Sequence, residues 1–135
     1  MIDPIAIGLT KEYISKQEKK DEKNPTIWII GAIDSIQKVQ ISSSLAEVKV
    51  ENNETKVENS RLGFLNFDFE VVRFGLKGFK NFGHTEFKTQ KRNLFNVEYD
   101  VVADDIIRKI PNKIIQELSE VIWSDNVVSE ELSKN

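Results

Sequence analysis

Between residues 60 and 80, apolar side chains recur every three or four positions, and this pattern predicts an amphipathic helix. The first apolar stripe comprises Leu62, Leu65, Phe69, Val72, Leu76 and Phe79. A second stripe lies beside it on the same predicted helix and comprises Phe64, Phe67, Val71 and Phe74. Together they cover more than half of the circumference, so we interpret the helix either as central to the domain or as presenting its second stripe to another chain. Gly75 and Gly78, each costing roughly 1 kcal/mol against alanine in a helix, indicate a close approach or a fraying end.

The stretch before this helix predicts a strand and then an ambiguous segment. Residues 26–33, TIWIIGAI, are β-branched and aromatic and predict a buried strand. Asp34 or Ser35 is a suitable cap for a helix that begins after the strand, but Val39 and Ile41 alternate, so helix and strand compete there. Residues 48–59 place an Asn-Asn pair between two alternating pieces and predict a hairpin or an exposed loop.

The last third of the chain is predicted to be helical, after a tight turn and a short strand at residues 83–89. Asp104 is the expected cap of a first helix, and Pro111 is expected to end it and to begin a second. The expected buried face of the second helix is Ile114, Ile115, Leu118, Val121, Ile122 and Trp123. The residues expected on its solvent-exposed face are Gln116, Glu117 and Glu120. Residues 123–126 are expected to break this helix, and Ser129 is expected to cap a short last one.

The charged run at residues 16–24, KQEKKDEKN, predicts a solvated arm that ends at Pro25. We therefore divide the chain into an extended charged arm, residues 1–25, and a single domain, residues 26–135. The expected fold class is α+β. In that fold a small β-sheet or hairpins pack on the central amphipathic helix, and a C-terminal helical segment completes it.

Composition narrows the classes of protein without naming one. The 135 residues are 39% hydrophobic and 30% charged, which is ordinary for a globular domain. The sequence contains no cysteine, which removes disulfides and thiolate catalysis and fits a reducing compartment. The net charge of −3 does not favour nucleic-acid binding. No apolar run approaches the roughly 20 residues that span a bilayer, and the first residues do not predict a secretory signal, so no membrane association is expected.

Residue types that carry chemistry do not form a catalytic set. His84 is the one histidine and is expected in an exposed turn. The adjacent carboxylates of Asp104 and Asp105 point apart at a helix start, so capping explains them better than acid–base catalysis. The serines at 42–44 have no base beside them in sequence. We therefore expect no enzyme activity, no cofactor and no metal.

Aromatic residues supply the candidate binding positions. Trp28 and Trp123 are expected either in the core or as anchors of an interface. The fragment KGFKNF at 77–82 loosely resembles the aromatic strand of an RNA-recognition sheet, but its flanks are helical, which favours core aromatics with a solvated basic edge. The candidate partner-binding residues are Phe64, Phe67, Val71, Phe74, Trp28 and Trp123.

Three stretches of this chain resemble small proteins encoded in the morphogenesis regions of tailed bacteriophages. They are EYISKQEKKDEKNPTIWIIGAID near the start, VVRFGLKGFKNF with the following EFKT in the middle, and IPNKIIQELSEVIWSDNVVSEELSKN at the end. The resemblance spans most of the chain in the same order. Residues 43–60 match nothing in it, and the turn at Gly83 and His84 is shorter than usual.

The resemblance implies a tail-assembly chaperone that binds the tape-measure protein or tail-tube subunits in the host cytoplasm. An alternative is a stoichiometric virion component, such as a neck, tail or capsid accessory subunit. Both need surfaces rather than a reaction centre, and a homo-oligomer is compatible with both. A third class, a small regulatory or nucleic-acid-binding protein, would show an exposed aromatic face and salt-sensitive affinity.

Overall fold

The computed structural model describes the backbone of residues 1–51 and 57–133 and the side chains of residues 1–43 and 66–124. Within those residues the chain forms two antiparallel sheets and four helices, which confirms the predicted α+β class. In chain order the elements are β1 (Thr10–Ile14), β2 (Ile27–Gly31), α1 (Ser35–Glu51), α2 (Val57–Gly75), β3 (Leu76–Lys80), β4 (Thr89–Leu94), β5 (Val97–Val102), α3 (Asp104–Ile107) and α4 (Asn112–Ser133).

The first sheet has the order β1-β2-β3 and is antiparallel throughout. The predicted strand at 26–33 is confirmed as β2, whose Trp28 and Ile30 point into the core. Trp28 pairs with Tyr13 of β1 on one side and with Phe79 of β3 on the other. The expectation of an extended arm over residues 1–25 is corrected here, because Thr10–Ile14 hydrogen-bonds to β2 as an edge strand.

The junction between α2 and β3 differs from the predicted helix over residues 60–80. The helix ends at Gly75, and the chain continues directly into β3. Gly75 marks a close approach, because a Cβ built there would lie 2.4 Å from Ile122 Cγ2 of α4. The helical spacing misled the prediction because β3 has one extra residue, Lys77. Leu76 and Phe79 therefore pair with Ile30 and Trp28, whose side chains share the core face of β2.

Helix α1 resolves the ambiguity at residues 34–45 in favour of a helix. The Gln37 amide donates to Asp34 Oδ1 at 2.8 Å, and the Asp34 amide donates to Gln37 Oε1 at 3.0 Å. This reciprocal pair is a capping box, which satisfies two backbone donors that a helix start leaves open. The predicted hairpin at 48–59 is wrong where the structure describes it, since residues 48–51 belong to α1 and 57–59 to α2; residues 52–56 lie outside the described residues.

The second sheet is the β4–β5 hairpin, with Leu94 paired to Val97. Phe95 and Asn96 form the turn between them, with φ of 50° and 65°. Two successive positive φ values are typical of the type I′ turn that matches the twist of paired strands. Arg92 of β4 joins the hairpin to α2, because its Nη1 lies 2.8 Å from Glu70 Oε2 and its guanidinium stacks 5.1 Å above the Phe74 ring.

The C-terminal helices correct two predictions and confirm one. Ala103, not Asp104, stands at the N-cap of α3 and makes no side-chain cap bond. The Pro111 carbonyl accepts from the amides of Ile114 and Ile115, which confirms that α4 begins there. The predicted break at residues 123–126 and the separate last helix capped by Ser129 are wrong, because α4 continues to Ser133.

Every described element except β1 contributes buried apolar side chains to one core, with α2 packed against α1 and α4. Of the predicted inner face of α4, Ile115, Leu118 and Ile122 are fully buried. Among the side chains of α2 that the structure describes, those of Val71, Val72 and Phe74 are fully buried. Helix α2 is therefore central to the fold, one of the two interpretations that its double stripe allowed. Among the described residues, no helix is long and apolar enough to cross a membrane.

Candidate functional site

The structure corrects half of the six candidate partner-binding residues. Val71 and Phe74 are fully buried and Trp28 is 2% exposed, so these three are core residues rather than a surface for a partner. Phe67 and Trp123 are half-buried and pack on each other across α2 and α4, with ring centroids 5.1 Å apart. The Phe64 side chain lies outside the described residues.

The aromatic residues of the basic stretch form a packed cluster. Trp28 contacts Phe82 at 5.1 Å and Phe79 at 5.8 Å between ring centroids, and Phe79 contacts Phe87 at 5.3 Å. The contacts are tilted or edge-on, the geometry that aromatic pairs prefer in protein interiors. These half-buried phenylalanines therefore stack on one another instead of standing in a row on an open sheet face.

Exposed apolar side chains lie instead at the start of the chain, in residues 1–9, which we call the N-terminal segment. Met1 and Ile2 are almost fully exposed, and Ile7 and Leu9 are 69% and 70% exposed. A second group lies at the turn of the β4–β5 hairpin, where Phe95 is 69% and Val97 is 38% exposed. Sequence reasoning gave residues 1–25 a charged character and so missed the apolar start.

A cleft of about 440 Å³ opens beside the N-terminal segment, between the two sheets. Its apolar wall is formed by Ile7, Leu9, Leu76 and Phe87. Its polar wall is formed by Thr10, Asp34, Gln37, Lys77, Thr89, Glu98, Tyr99 and Asp100. A cavity of this size with apolar walls and a few convergent polar groups has the character of a binding site.

Lys77 enters the cleft because β3 contains a bulge. Ile29 pairs with Gly78 and Ile30 pairs with Leu76, so Lys77 is the extra residue between them. Its side chain runs along Gly31, where a Cβ would lie 3.1 Å from Lys77 Cγ and Cε. The ammonium donates to the Phe74 carbonyl oxygen at 2.8 Å. Burial lowers the pKa of Lys77, while the charges of Asp34 and Asp100 act in the opposite direction.

The carboxylates of the cleft already have partners. Asp34 uses Oδ1 to cap α1, and its Oδ2 accepts from the Tyr99 hydroxyl at 2.6 Å. Burial, together with the bond to Asp34 and its charge, raises the pKa of Tyr99 to about 12, so the phenol remains a donor at neutral pH. On β5, Asp100 and Glu98 both lie within ion-pair distance of the Lys91 ammonium on β4.

The residues considered for catalysis remain apart. His84 is exposed at a turn and lines a shallow hollow with Asp105 and Lys109. Asp104 forms an ion pair with Arg73 of α2, and the bonds from Arg73 and Gln90 lower the pKa of Asp104. Within the residues that the structure describes, no group of three His, Cys, Asp or Glu side chains could hold a metal ion.

Glu117 holds the N-terminal strand against α4. Its carboxylate accepts from the Tyr13 hydroxyl, from Ser15 Oγ at 2.7 Å and from the Lys16 amide at 2.8 Å. Burial opposes ionisation of Glu117, but the bonds from Tyr13, Lys16 and Ser15 outweigh it and lower its pKa. The prediction that Glu117 lies on the solvent-exposed face of the helix is therefore wrong.

Comparisons with protein-family models, with curated proteins and with solved structures find no match for this chain. The described residues offer two features from which a function can be inferred. One is the apolar N-terminal segment, and the other is the cleft beside it. Both are suited to contact with another molecule, and they share the residues from Ile7 to Leu9.

Proposed function

We propose that this chain is a bacteriophage tail-morphogenesis protein that acts by protein–protein interaction, as a tail-assembly chaperone. The observation that carries the proposal is the exposed apolar N-terminal segment. Four of its side chains, those of Met1, Ile2, Ile7 and Leu9, are each at least 69% exposed. Apolar side chains concentrated in one exposed segment are typical of a surface that a partner covers.

The resemblance to phage morphogenesis proteins supplies the class of partner. Proteins of this kind bind the tape-measure protein or tail-tube subunits during assembly in the host cytoplasm. The N-terminal segment would contact such a partner through Ile7 and Leu9, which stand beside the cleft. This contact needs neither a cofactor nor a membrane.

The first test is quantitative mass spectrometry of purified virions beside the infected-cell lysate. A chaperone is expected to be abundant in the lysate and absent from the particles. A fixed copy number in the particles would contradict the chaperone role.

A second test uses matched surface variants in the infected cell. Ile7→Asp is expected to reduce co-purification of the tape-measure protein by about tenfold or more, since it places a charge where apolar contact is needed. Val39→Asp on α1 is the control, because Val39 is 59% exposed but lies on a different element. Both variants are expected to melt at the wild-type temperature. Equal co-purification by the two variants would contradict the proposed surface.

A stoichiometric virion component is the second candidate, and one observation favours it. The exposed Phe95 and Val97 form a second apolar group, on a different element from the N-terminal segment. A subunit fixed between two neighbours needs two such surfaces. Under this candidate, Phe95→Asp would lower the copy number per particle as strongly as Ile7→Asp does.

A further inference from the structure

Lys77 is an exposed residue of β3 that lines the cleft, and its ammonium keeps hydrogen-bonding capacity for a ligand. An ammonium carries three N–H donors, and within the described residues Lys77 makes one hydrogen bond, to the Phe74 carbonyl oxygen. Both oxygens of Asp34 already accept a bond, and Asp100 contacts Lys91. A ligand that enters the cleft would therefore meet available donors on Lys77, which otherwise face solvent, whereas both oxygens of Asp34 are already used.

The charges around Lys77 decide what kind of acceptor fits. An anionic ligand would be repelled by the carboxylates of Asp34, Glu98 and Asp100, which line the cleft. It would be attracted by the ammonium groups of Lys77, in the cleft, and of Lys91, which pairs with Glu98 and Asp100. Three negative charges against two positive charges leave this part of the protein with a net negative charge, which does not favour an anionic ligand. A neutral carbonyl oxygen can accept a hydrogen bond from the remaining N–H groups of Lys77 without adding charge.

The walls of the cleft suit a polypeptide that carries such a carbonyl. Ile7, Leu9 and Phe87 provide apolar contact, while Thr10 and Thr89 provide hydroxyl groups. The volume of about 440 Å³ accepts a few residues of extended chain rather than a folded element. An extended peptide presents carbonyl oxygens and apolar side chains in alternation, which matches this arrangement.

We propose that the cleft binds an extended peptide segment of the partner protein, with one backbone carbonyl oxygen accepting a hydrogen bond from Lys77. An apolar side chain of that segment packs between Ile7 and Phe87. The proposal rests on the proposed function and names the part of the partner that this chain recognises.

Two features of the fold hold Lys77 in position for this role. The bulge in β3 turns the side chain into the cleft, as bulges do where a strand must redirect one residue. Gly31 leaves room for the methylene groups of Lys77, because a side chain at position 31 would come too close to them. A lysine on a regular strand opposite a larger residue would not reach the same place.

The test uses a yeast-displayed library of random 12-residue peptides, selected on the immobilised full chain and then made as synthetic peptides with blocked ends. Lys77→Met is expected to weaken their binding by about tenfold or more, the loss that corresponds to one charge-assisted hydrogen bond. Lys80→Met is the matched control on the same strand, because Lys80 is exposed like Lys77 but does not line the cleft, and its ammonium lies 3.6 Å from Glu12. Binding to the control is expected to equal binding to the wild type.

Gly31→Ala provides a second variant that keeps the lysine. Its added methyl group would lie 3.1 Å from the Lys77 stem and 3.2 Å from the Leu9 carbonyl oxygen, so one of these two cleft residues must shift. Binding of the selected peptides is expected to weaken severalfold while the chain remains folded by thermal melting. Failure to enrich any peptide, or equal binding by the wild type and Lys77→Met, would overturn the proposal.

Failure of the peptide-binding cleft can be distinguished from failure of the chaperone role. If Lys77→Met still co-purifies the tape-measure protein as the wild type does, the peptide cleft is refuted and the chaperone role stands. If selected peptides bind through Lys77 but no tail protein co-purifies with the wild type, the cleft stands and the chaperone role fails.

Discussion

The centre of α2 and the N-terminal segment are both apolar, yet they occupy opposite environments. Val71 and Phe74 are fully buried, whereas Ile7 and Leu9 are 69% and 70% exposed. Helix α2 lies between α1 and α4, which cover it on two sides. A second apolar stripe on a helix therefore indicates a central position when other helices of the chain pack over it. A short apolar segment with no such neighbour, such as residues 1–9, keeps its side chains exposed to solvent.

The first prediction truncates one apolar side chain in each region. Phe74→Ala is expected to lower the free energy of unfolding by about 3–5 kcal/mol, because it leaves a cavity in the core and removes the ring under Arg92. Ile7→Ala is expected to change it by less than about 0.5 kcal/mol, as is usual for exposed positions. Urea denaturation of the two variants measures both values. Similar losses would mean that Ile7 belongs to the core.

The second prediction measures how closely the buried region is packed. In Gly75→Ala the new Cβ would lie 2.4 Å from Ile122 Cγ2, so α2 and α4 must move apart. The expected loss is about 1–3 kcal/mol of unfolding free energy. Gly78→Ala is the control, since its Cβ would make an ordinary 3.4 Å contact with Ile29 Cδ1. A stabilised Gly75→Ala variant would refute the close approach.

The third prediction concerns the hydrogen bonds that join α4 to β1 and the residues just after it, between the N-terminal segment and the core. Glu117→Gln is expected to lower the free energy of unfolding by about 1.5 kcal/mol, because the charged acceptor of three hydrogen bonds is lost. Glu120→Gln on the same helix is the control, because Glu120 is exposed. Equal stability of these two variants would show that the strand is held by β2 alone.

The pH dependence of these hydrogen bonds has a defined sign. The folded state lowers the pKa of Glu117, so the ionised carboxylate stabilises the fold fully at pH values above its usual pKa of 4.5. That contribution is lost as the pH falls through the lower pKa of the folded state. The stability difference between wild type and Glu117→Gln is therefore expected to narrow as the pH falls below that usual pKa, from about pH 5 to about pH 3. A constant difference across that range would contradict the role of the charge.

The fourth and smallest effect is expected at the cap that borders the cleft. Asp34→Ala removes the side-chain acceptor at the start of α1 and is expected to cost about 1 kcal/mol. Asp34→Asn keeps an acceptor of similar capping strength and is expected to cost less than Asp34→Ala. Both variants remove the charge and the oxygen that accepts from Tyr99, and only Asp34→Ala also removes the cap, so thermal unfolding of the pair isolates the contribution of the cap. A loss for Asp34→Asn as large as that for Asp34→Ala would assign the effect to the charge or to the bond from Tyr99.

Sequence patterns predicted the parts of the fold that depend on local chemistry. The β-branched run of β2, the cap at Asp34 and the helix start at Pro111 are all decided within a few residues. The strand β1 was missed because Lys11 and Glu12 are charged, as edge strands commonly are. The β4–β5 hairpin was missed because Phe95 is an unusual residue for a turn that needs positive φ.

Local sequence patterns could not predict the candidate site. The cleft brings together residues from the N-terminal segment, the start of α1, β3 and β5. Nothing in the order of residues shows that Lys77 is the extra residue of a bulge, because a bulge is defined by its partner strand. The burial of Trp28, Val71 and Phe74 likewise depends on which elements pack over them.

The hydrogen bond between Tyr13 and Glu117 joins residues 104 positions apart, and this separation sets an order of events during synthesis. At about 5–20 residues per second, a ribosome adds Glu117 roughly 5–20 s after Tyr13. Contacts this distant in sequence also form slowly during folding. The edge strand therefore acquires this attachment only after Glu117 has been synthesised, and throughout that interval the apolar side chains of residues 1–9 are accessible to any partner already present.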